Sequence, residues 1–274
     1  MENSKNFKDK VIVALDYDDL KPVKELLDKL KGGVCFYKIG SELFTSCGAK
    51  SVELVKDRGC KVFLDLKYHD IPNTVYKAVK AAVKLGVDII NVHASGGVEM
   101  MSAAKKGGEE AGDAADRHIE IIAVTVLTNL SDIDINRIFY DFKAQADFSF
   151  ICGTAPQNND GKVAAGISFD LAVHLAKLAK ISGLDGVVCS GHESLKIKSG
   201  LGADFKTVTP GIRMKAGNIN KPKDDQKRVM TPSEAFNAGA DYIVVGREIT
   251  GAANPADALA RIYADIENNV GRQS

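Results

Sequence analysis

Apolar and polar residues are arranged in blocks along this chain. Short runs of mostly β-branched residues are followed by longer stretches in which apolar positions recur every three or four residues. Val11-Ile-Val-Ala-Leu15 predicts a buried strand ending at Asp16, and Leu20 to Leu30 a helix stopped by Gly32-Gly33. Val34 to Ile39 predicts a second strand, Leu43 to Arg58 a helix closed by Gly59, and Lys61 to Leu66 a third strand. Asn73 to Leu85 reads as a helix, with Pro72 placed where a first turn tolerates proline. Val87 to His93 predicts the fourth strand. Gly96-Gly97 and an alanine-rich helix then lead to the fifth, Ile119 to Val126.

The second half resumes the rhythm. Leu171 to Ser182 is helical, Gly186 to Ser190 a strand, Glu193 to Ser199 a short helix, and Phe205 to Thr209 a strand that runs into Pro210-Gly-Ile-Arg213. Thr231-Pro-Ser-Glu234 opens a helix with a hydroxyl cap and an acid three residues on. Asp241 to Val245 is the last strand, ending in Gly246-Arg247, and a terminal helix spans about Pro255 to Asn268.

Near-continuous apolar strands imply a sheet covered on both faces, hence parallel pairing. Eight such units in a chain of 274 residues predict one α/β domain over residues 1–274, a (β/α)8 TIM barrel. A doubly wound open sheet is the rival, but the first strand ends Leu15-Asp-Tyr-Asp-Asp19, without the glycine-rich dinucleotide turn that fold would place there. One region breaks the rhythm, a long insertion-like connection at about 129–170 that includes Cys152-Gly-Thr-Ala-Pro-Gln-Asn-Asn-Asp-Gly161. A connection of that length is a lid or an excursion with its own structure.

Composition narrows the partners. Basic and acidic residues balance at 36 each, so no general attraction to nucleic acid or to a membrane surface is expected. A charged ligand would have to be held by a local cluster. Cys35, Cys47, Cys60, Cys152 and Cys189 form no CxxC pair and read as reduced thiols, with no pattern for a metal site. Met1 to Lys10 is polar, and no run reaches membrane-spanning length. A soluble, cytoplasmic protein is expected.

In a barrel of this kind the chemistry sits at the C-terminal ends of the strands. Those ends read Asp16, Lys38, Asp65 and Lys67, His93, Thr125 and Thr128, Ser190, Arg213, and Gly246 with Arg247. Asp65 and Lys67 are two apart, so both point to one face of the strand, the barrel interior. With Lys38 from the neighbouring strand and Asp70 just beyond, they predict an alternating Lys-Asp-Lys-Asp array. A salt-bridge network that only holds the barrel mouth would show the same spacing, though such networks stabilise poorly. Gly246 and Arg247 suit a phosphate, and Arg213 and Gln226 lie in the preceding loop, where barrel phosphate sites occur. His93 reads as a packed barrel histidine and is left out of the catalytic set. The run Lys221 to Arg228 has the composition of a solvated loop, but its position after the seventh strand also suits a mobile phosphate gripper.

These residues resemble the orotidine 5'-monophosphate decarboxylase family. Asp65-Leu-Lys-Tyr-His-Asp-Ile-Pro-Asn-Thr74 is similar to its D-x-K-x-x-D-I-P-N-T signature. Val13-Ala-Leu-Asp16, Tyr37-Lys-Ile-Gly40, Val124-Thr-Val-Leu-Thr128, Val208-Thr-Pro-Gly-Ile-Arg213, Asp225-Gln226 and Val245-Gly-Arg247 resemble its other strand-end motifs, in order. The stretch after Thr128 is longer than the usual family loop. The resemblance implies cofactor-free conversion of orotidine 5'-monophosphate (OMP) to UMP and CO2 in de novo pyrimidine biosynthesis. It implies Lys67 as the proton donor to C6, Asp65 beside the substrate carboxylate, and Asp16 and Lys38 on the ribose. It also implies that Asp70 and Thr74 reach into the neighbouring subunit's site, making a homodimer. Thr128 would serve the pyrimidine, and Arg213, Gln226, Gly246 and Arg247 the phosphate. The D-x-K-x-x-D core alone also fits magnesium-dependent sugar-phosphate decarboxylases or aldolases of the same superfamily. A non-catalytic nucleotide-binding barrel is the alternative from another class.

Overall fold

The computed structural model describes residues 7–139, 166–214 and 229–271. After a 3-10 turn at Phe7–Asp9, the chain forms β1 (Val11–Leu15), α1 (Leu20–Lys29), β2 (Phe36–Gly40), α2 (Ser41–Cys47) and α3 (Ala49–Lys56). Then come β3 (Lys61–Tyr68), α4 (Pro72–Lys84), β4 (Ile89–His93), α5 (Gly97–Asp113), β5 (Glu120–Val124) and α6 (Asp132–Phe139). The remainder is α7 (Ile167–Ile181), β6 (Gly186–Val188), α8 (Gly191–Leu201), β7 (Lys206–Thr209), α9 (Pro232–Asn237), β8 (Tyr242–Val245), α10 (Arg247–Thr250) and α11 (Pro255–Asn269). The eight strands close into a barrel in sequence order, β8 pairing back onto β1, with every pairing parallel. This is the (β/α)8 architecture that the blocks of apolar residues predict.

Strand alternation divides the core into two layers. Ile12, Phe36, Phe63, Ile89, Ile122 and Val208 pack together inside the barrel. Their strand neighbours, such as Val13, Tyr37, Leu64 and Ile90, join the larger layer beneath the helices. Both faces are dry, which is why the strands read as unbroken apolar runs. Two residues further along β2, β3 and β4 the inner layer turns polar at Lys38, Asp65 and Asn91. That switch marks where the packed core stops and the mouth begins.

The opposite end of the barrel is held by a device that occurs three times. Gly86-Val-Asp88, Gly183-Leu-Asp185 and Gly239-Ala-Asp241 each join a helix to an even-numbered strand. The glycines take φ of +84, +80 and +92, a left-handed turn that other residues avoid. Each aspartate then accepts the second backbone N–H of the preceding odd strand: Val62 N to Asp88 at 2.8 Å, Ile121 N to Asp185 at 2.7 Å and Thr207 N to Asp241 at 2.8 Å. A lysine closes each pair, Lys56 at 2.9 Å, Lys105 at 2.7 Å and Lys198 at 2.5 Å. Strand entries that would otherwise leave an amide without a partner are thereby satisfied.

The structure changes two of the sequence expectations and adds detail to a third. The helix expected over Leu43 to Arg58 is two helices, because Gly48 adopts φ +58 and ψ −146 between α2 and α3. The third strand continues two residues past Leu66, to Tyr68, through a shift of register against β4. The long connection begins with its own helix, α6, and its two ends are tied together. Asp132 accepts from Gly166 N at 2.9 Å and from Ser168 N at 2.8 Å, fixing the start of α7 to the start of α6. Residues 140–165 of that connection, including Cys152, lie outside the described residues. Cys35, Cys47, Cys60 and Cys189 carry thiols and no disulfide. No helix among the described residues is long and apolar enough to cross a membrane.

Asp185→Ala tests the clamp. Losing a charged acceptor from a partly buried amide costs about 2 kcal/mol, on the order of 5 °C in Tm by thermal denaturation. Turnover per folded molecule should stay unchanged, since the clamp lies at the far end of the barrel from the charged mouth.

Candidate active site

The mouth of the barrel opens into a cavity of about 540 Å³. Asp16, Lys38, Asp65, Lys67 and Thr128 line one part of it, and Arg213, Gly246 and Arg247 another. Eight of the residues singled out from the sequence therefore share one space. Val126, Leu127, Cys189 and Pro210 add an apolar wall that sequence reading did not assign. Their signal was weak, because apolar residues at strand ends look like the continuing core.

The charges are joined end to end. Lys38 Nζ lies 3.2 Å from Asp16 Oδ1 and 3.4 Å from Asp65 Oδ2, and Lys67 Nζ lies 2.7 Å from Asp65 Oδ1. Burial alone would favour neutral Lys38, but the carboxylates of Asp65 and Asp16 outweigh it and raise the lysine's pKa. Lys38 is thus held as an ammonium ion. Asp65 is only 8% exposed, so the centre of the network is desolvated at a cost that good geometry must match, while Asp16 and Lys67 at its ends stay open to solvent.

Part of that geometry comes from β3 itself. Register pairs Phe63 with Ile89 and Leu64 with Ile90, and the next pair is Tyr68 with Val92. Three residues, Asp65 to Lys67, therefore face the single residue Asn91. Lys67 takes φ +51, one of two non-glycine residues with positive φ among those described. Asn91 is fully buried and bonds to both sides of this bulge. Sequence reading passed over it. The available signal was a lone amide at an inward position of the apolar run Ile89-Ile-Asn-Val-His93.

At the other side, Gly246 follows β8 and starts α10. A Cβ there would stand 3.5 Å from Asp16 Oδ2, so its absence leaves room between the first and last strands of the mouth. The guanidinium of Arg213 is braced by its Nε, 3.9 Å from Glu248 Oε1, and by Nη1, which donates to Ile212 O at 2.9 Å. Thr125, also at the end of the fifth strand, is buried with its hydroxyl donating to Val188 O at 3.0 Å, whereas Thr128 lines the cavity.

Not every expected residue joins this cavity. Asp70 and Thr74 are exposed and do not line it. Asp70 Oδ1 accepts from Ile71 N at 2.6 Å, and the Ile71 side chain beside it is 68% exposed. The continuous array expected from Lys38 to Asp70 therefore ends at Lys67 within one chain. His93 stays outside the cavity lining and packs against His69, with ring centroids 5.5 Å apart. Its pKa is lowered, first by burial and then by His69 and Lys67. Asp225, Gln226 and the expected gripper loop lie outside the described residues.

Similarity to known proteins follows the same residues. The chain matches the model of the family described as "Orotidine 5'-phosphate decarboxylase / HUMPS family" over residues 9–262. It is 45% identical over 258 residues to the orotidine 5'-phosphate decarboxylase of Pseudoalteromonas translucida (strain TAC 125), covering 94% of this chain and 97% of that one. It is 46% identical over 257 residues to the protein of the same name from Saccharophagus degradans, covering 93% and 94%. Among solved structures, orotidine 5'-phosphate decarboxylase from Lactobacillus acidophilus superposes with a TM-score of 0.73 at 37% identity, covering 94% of this chain and 99% of that one. A match across nearly the whole barrel, at this level of identity, places the chain: it belongs to the orotidine 5'-phosphate decarboxylase / HUMPS family.

Proposed function

We propose that this chain decarboxylates OMP to UMP and CO2, a step of pyrimidine biosynthesis, with Lys67 as the proton donor. The observation that carries the reading is the linked set Asp16, Lys38, Asp65 and Lys67 in one cavity with Arg213, Gly246 and Arg247. Seated with its phosphate at Gly246 and Arg247, a nucleotide would present its ribose to Asp16 and Lys38. Its base would meet Lys67, Thr128 and the apolar wall. Gln226 completes the phosphate grip in this reading.

The chemistry follows from the charges. The C6–carboxylate bond breaks, CO2 leaves, and the electron pair stays on C6. The Lys67 ammonium, already paired with Asp65, stabilises that carbanion and then gives it a proton. Asp65 repels the substrate carboxylate until CO2 departs. Two charges about 4 Å apart at an effective dielectric of about 20 interact by about 4 kcal/mol. Very proficient enzymes need on the order of 20 kcal/mol. Carboxylate repulsion is therefore the smaller contribution. Lys67 and binding energy from the remote phosphate supply more.

The exposed position of Asp70 and Thr74 supports a homodimer in which each reaches the other subunit's cavity. Asp70 would then continue the array from the neighbouring chain, next to Lys67. The exposed Ile71 between them would be covered by the same contact. A cytoplasmic location accords with the thiols and the biosynthetic role.

Each assignment has its own measurement. Lys67→Ala should lower decarboxylation, followed as absorbance loss of OMP, by about four orders of magnitude while UMP still binds. Near-normal turnover would remove Lys67 as the acid. Arg247→Ala should raise KM about 10- to 100-fold, because a charge-assisted phosphate contact is lost. Equal reaction of nucleoside and nucleotide in the wild type would refute the phosphate site. Mixing inactive Lys67→Ala with inactive Asp70→Ala subunits should restore up to roughly a quarter of wild-type activity, because half the dimers are mixed and each has one intact site. No recovery despite demonstrated subunit exchange would confine Asp70 to its own chain.

A further inference from the structure

Among the described residues, Asn91 is the polar side chain that hydrogen-bonds to both members of the Asp65–Lys67 pair. It is fully buried in β4. Its Nδ2 donates to Asp65 Oδ1 at 2.6 Å, and its Oδ1 accepts from Lys67 N at 2.8 Å. The two ends of its amide cannot be exchanged. Flipped, the carbonyl would face a carboxylate oxygen and the NH2 group would face a backbone N–H, leaving both contacts repulsive.

Each bond constrains a different degree of freedom. Asp65 Oδ1 receives Asn91 Nδ2 and, at 2.7 Å, Lys67 Nζ, while Oδ2 faces Lys38 Nζ at 3.4 Å. Donors on both oxygens fix the carboxylate plane. The bond to Lys67 N acts on the backbone instead. In an unbroken strand that N–H would point away from β4, because even positions such as Val62 bond toward β4 while Lys61 N bonds toward β2. Here the bulge moves it out of register, and the Asn91 side chain takes it while Lys67 holds φ +51. Local strain of this kind persists only where surrounding contacts over-determine it.

We propose that Asn91 is a positioning residue for decarboxylation, one amide that sets the Asp65 carboxylate and the Lys67 backbone relative to each other. This rests on the reading of Lys67 as proton donor and Asp65 as its partner. The residue type fits the task. Aspartate would put a second carboxylate against Asp65, and leucine would lose both bonds at similar size.

The test separates positioning from folding by counting competent sites. Asn91→Leu and Asn91→Asp are titrated with UMP to give the concentration of binding sites, and OMP turnover is expressed per site. The proposed phosphate grip at Arg213, Gly246 and Arg247 lies beyond the ends of β7 and β8, so UMP Kd should change by less than about threefold, while kcat per site should fall about 100-fold in Asn91→Leu, the scale of loss for reacting groups displaced by about an ångström. Asn91→Asp keeps the shape and the acceptor for Lys67 N but loses the donor to an ionised Asp65. It should lose about tenfold or more at neutral pH, and it carries the test if the leucine variant binds no UMP. A kcat per site within threefold of wild type in either variant overturns the proposal, because a residue that only supports folding changes the number of sites and not their turnover. If the wild-type chain itself does not decarboxylate OMP, it is the underlying reading of the site that fails.

Discussion

The functional end of this molecule depends on one carboxylate. Asp65 is nearly buried, accepts a hydrogen bond from Asn91 and forms ion pairs with Lys67 and Lys38, and through Lys38 it connects to Asp16. Removing a charge from water is costly, and a buried ion pair repays that cost only when its remaining hydrogen bonds are satisfied. Both Asp65 oxygens are satisfied here. The reward is less stability than orientation. On the proposed reading, charges that are already fixed would not need to reorganise when a carbanion forms.

Backbone irregularity at β3 serves the same end. The bulge over Asp65 to Lys67 brings three residues opposite Asn91 and lets the Lys67 amide leave the ladder. A left-handed residue other than glycine costs about 1–2 kcal/mol. The barrel carries that strain in the strand with the densest charge, and the rest of the sheet is regular enough to hold it. The Gly-x-Asp clamps at the opposite end help to do so by satisfying the entries of β3, β5 and β7. The aspartate clamps and the candidate site thus occupy opposite rims of one sheet, joined by the packed inner layer of Phe36, Phe63 and Ile89.

The exposed segment after β3 completes this division. Asp70, Ile71 and Thr74 follow the charged strand directly yet stand outside their own cavity. A site finished by a second subunit would couple assembly to activity, with Lys67 lying at the join between what one chain provides and what its neighbour adds.

Sequence by itself determined the alternation of elements, the parallel barrel, and the strand-end positions of Asp16, Lys38, Asp65, Lys67, Arg213 and Arg247. These were legible because period-two and period-3.6 patterns are local, and because charged residues at the ends of apolar strands stand out. The tertiary structure decided what depends on register between strands. The break at Gly48, the bulge at Lys67 and the threefold aspartate clamp are of this kind. So is the joining of Lys38 to both Asp16 and Asp65. Asn91 shows the difference most clearly. Along the chain it is one amide in an apolar run. Only when β4 pairs with β3 does it face Asp65, and only the bulge then delivers the Lys67 amide to its other end.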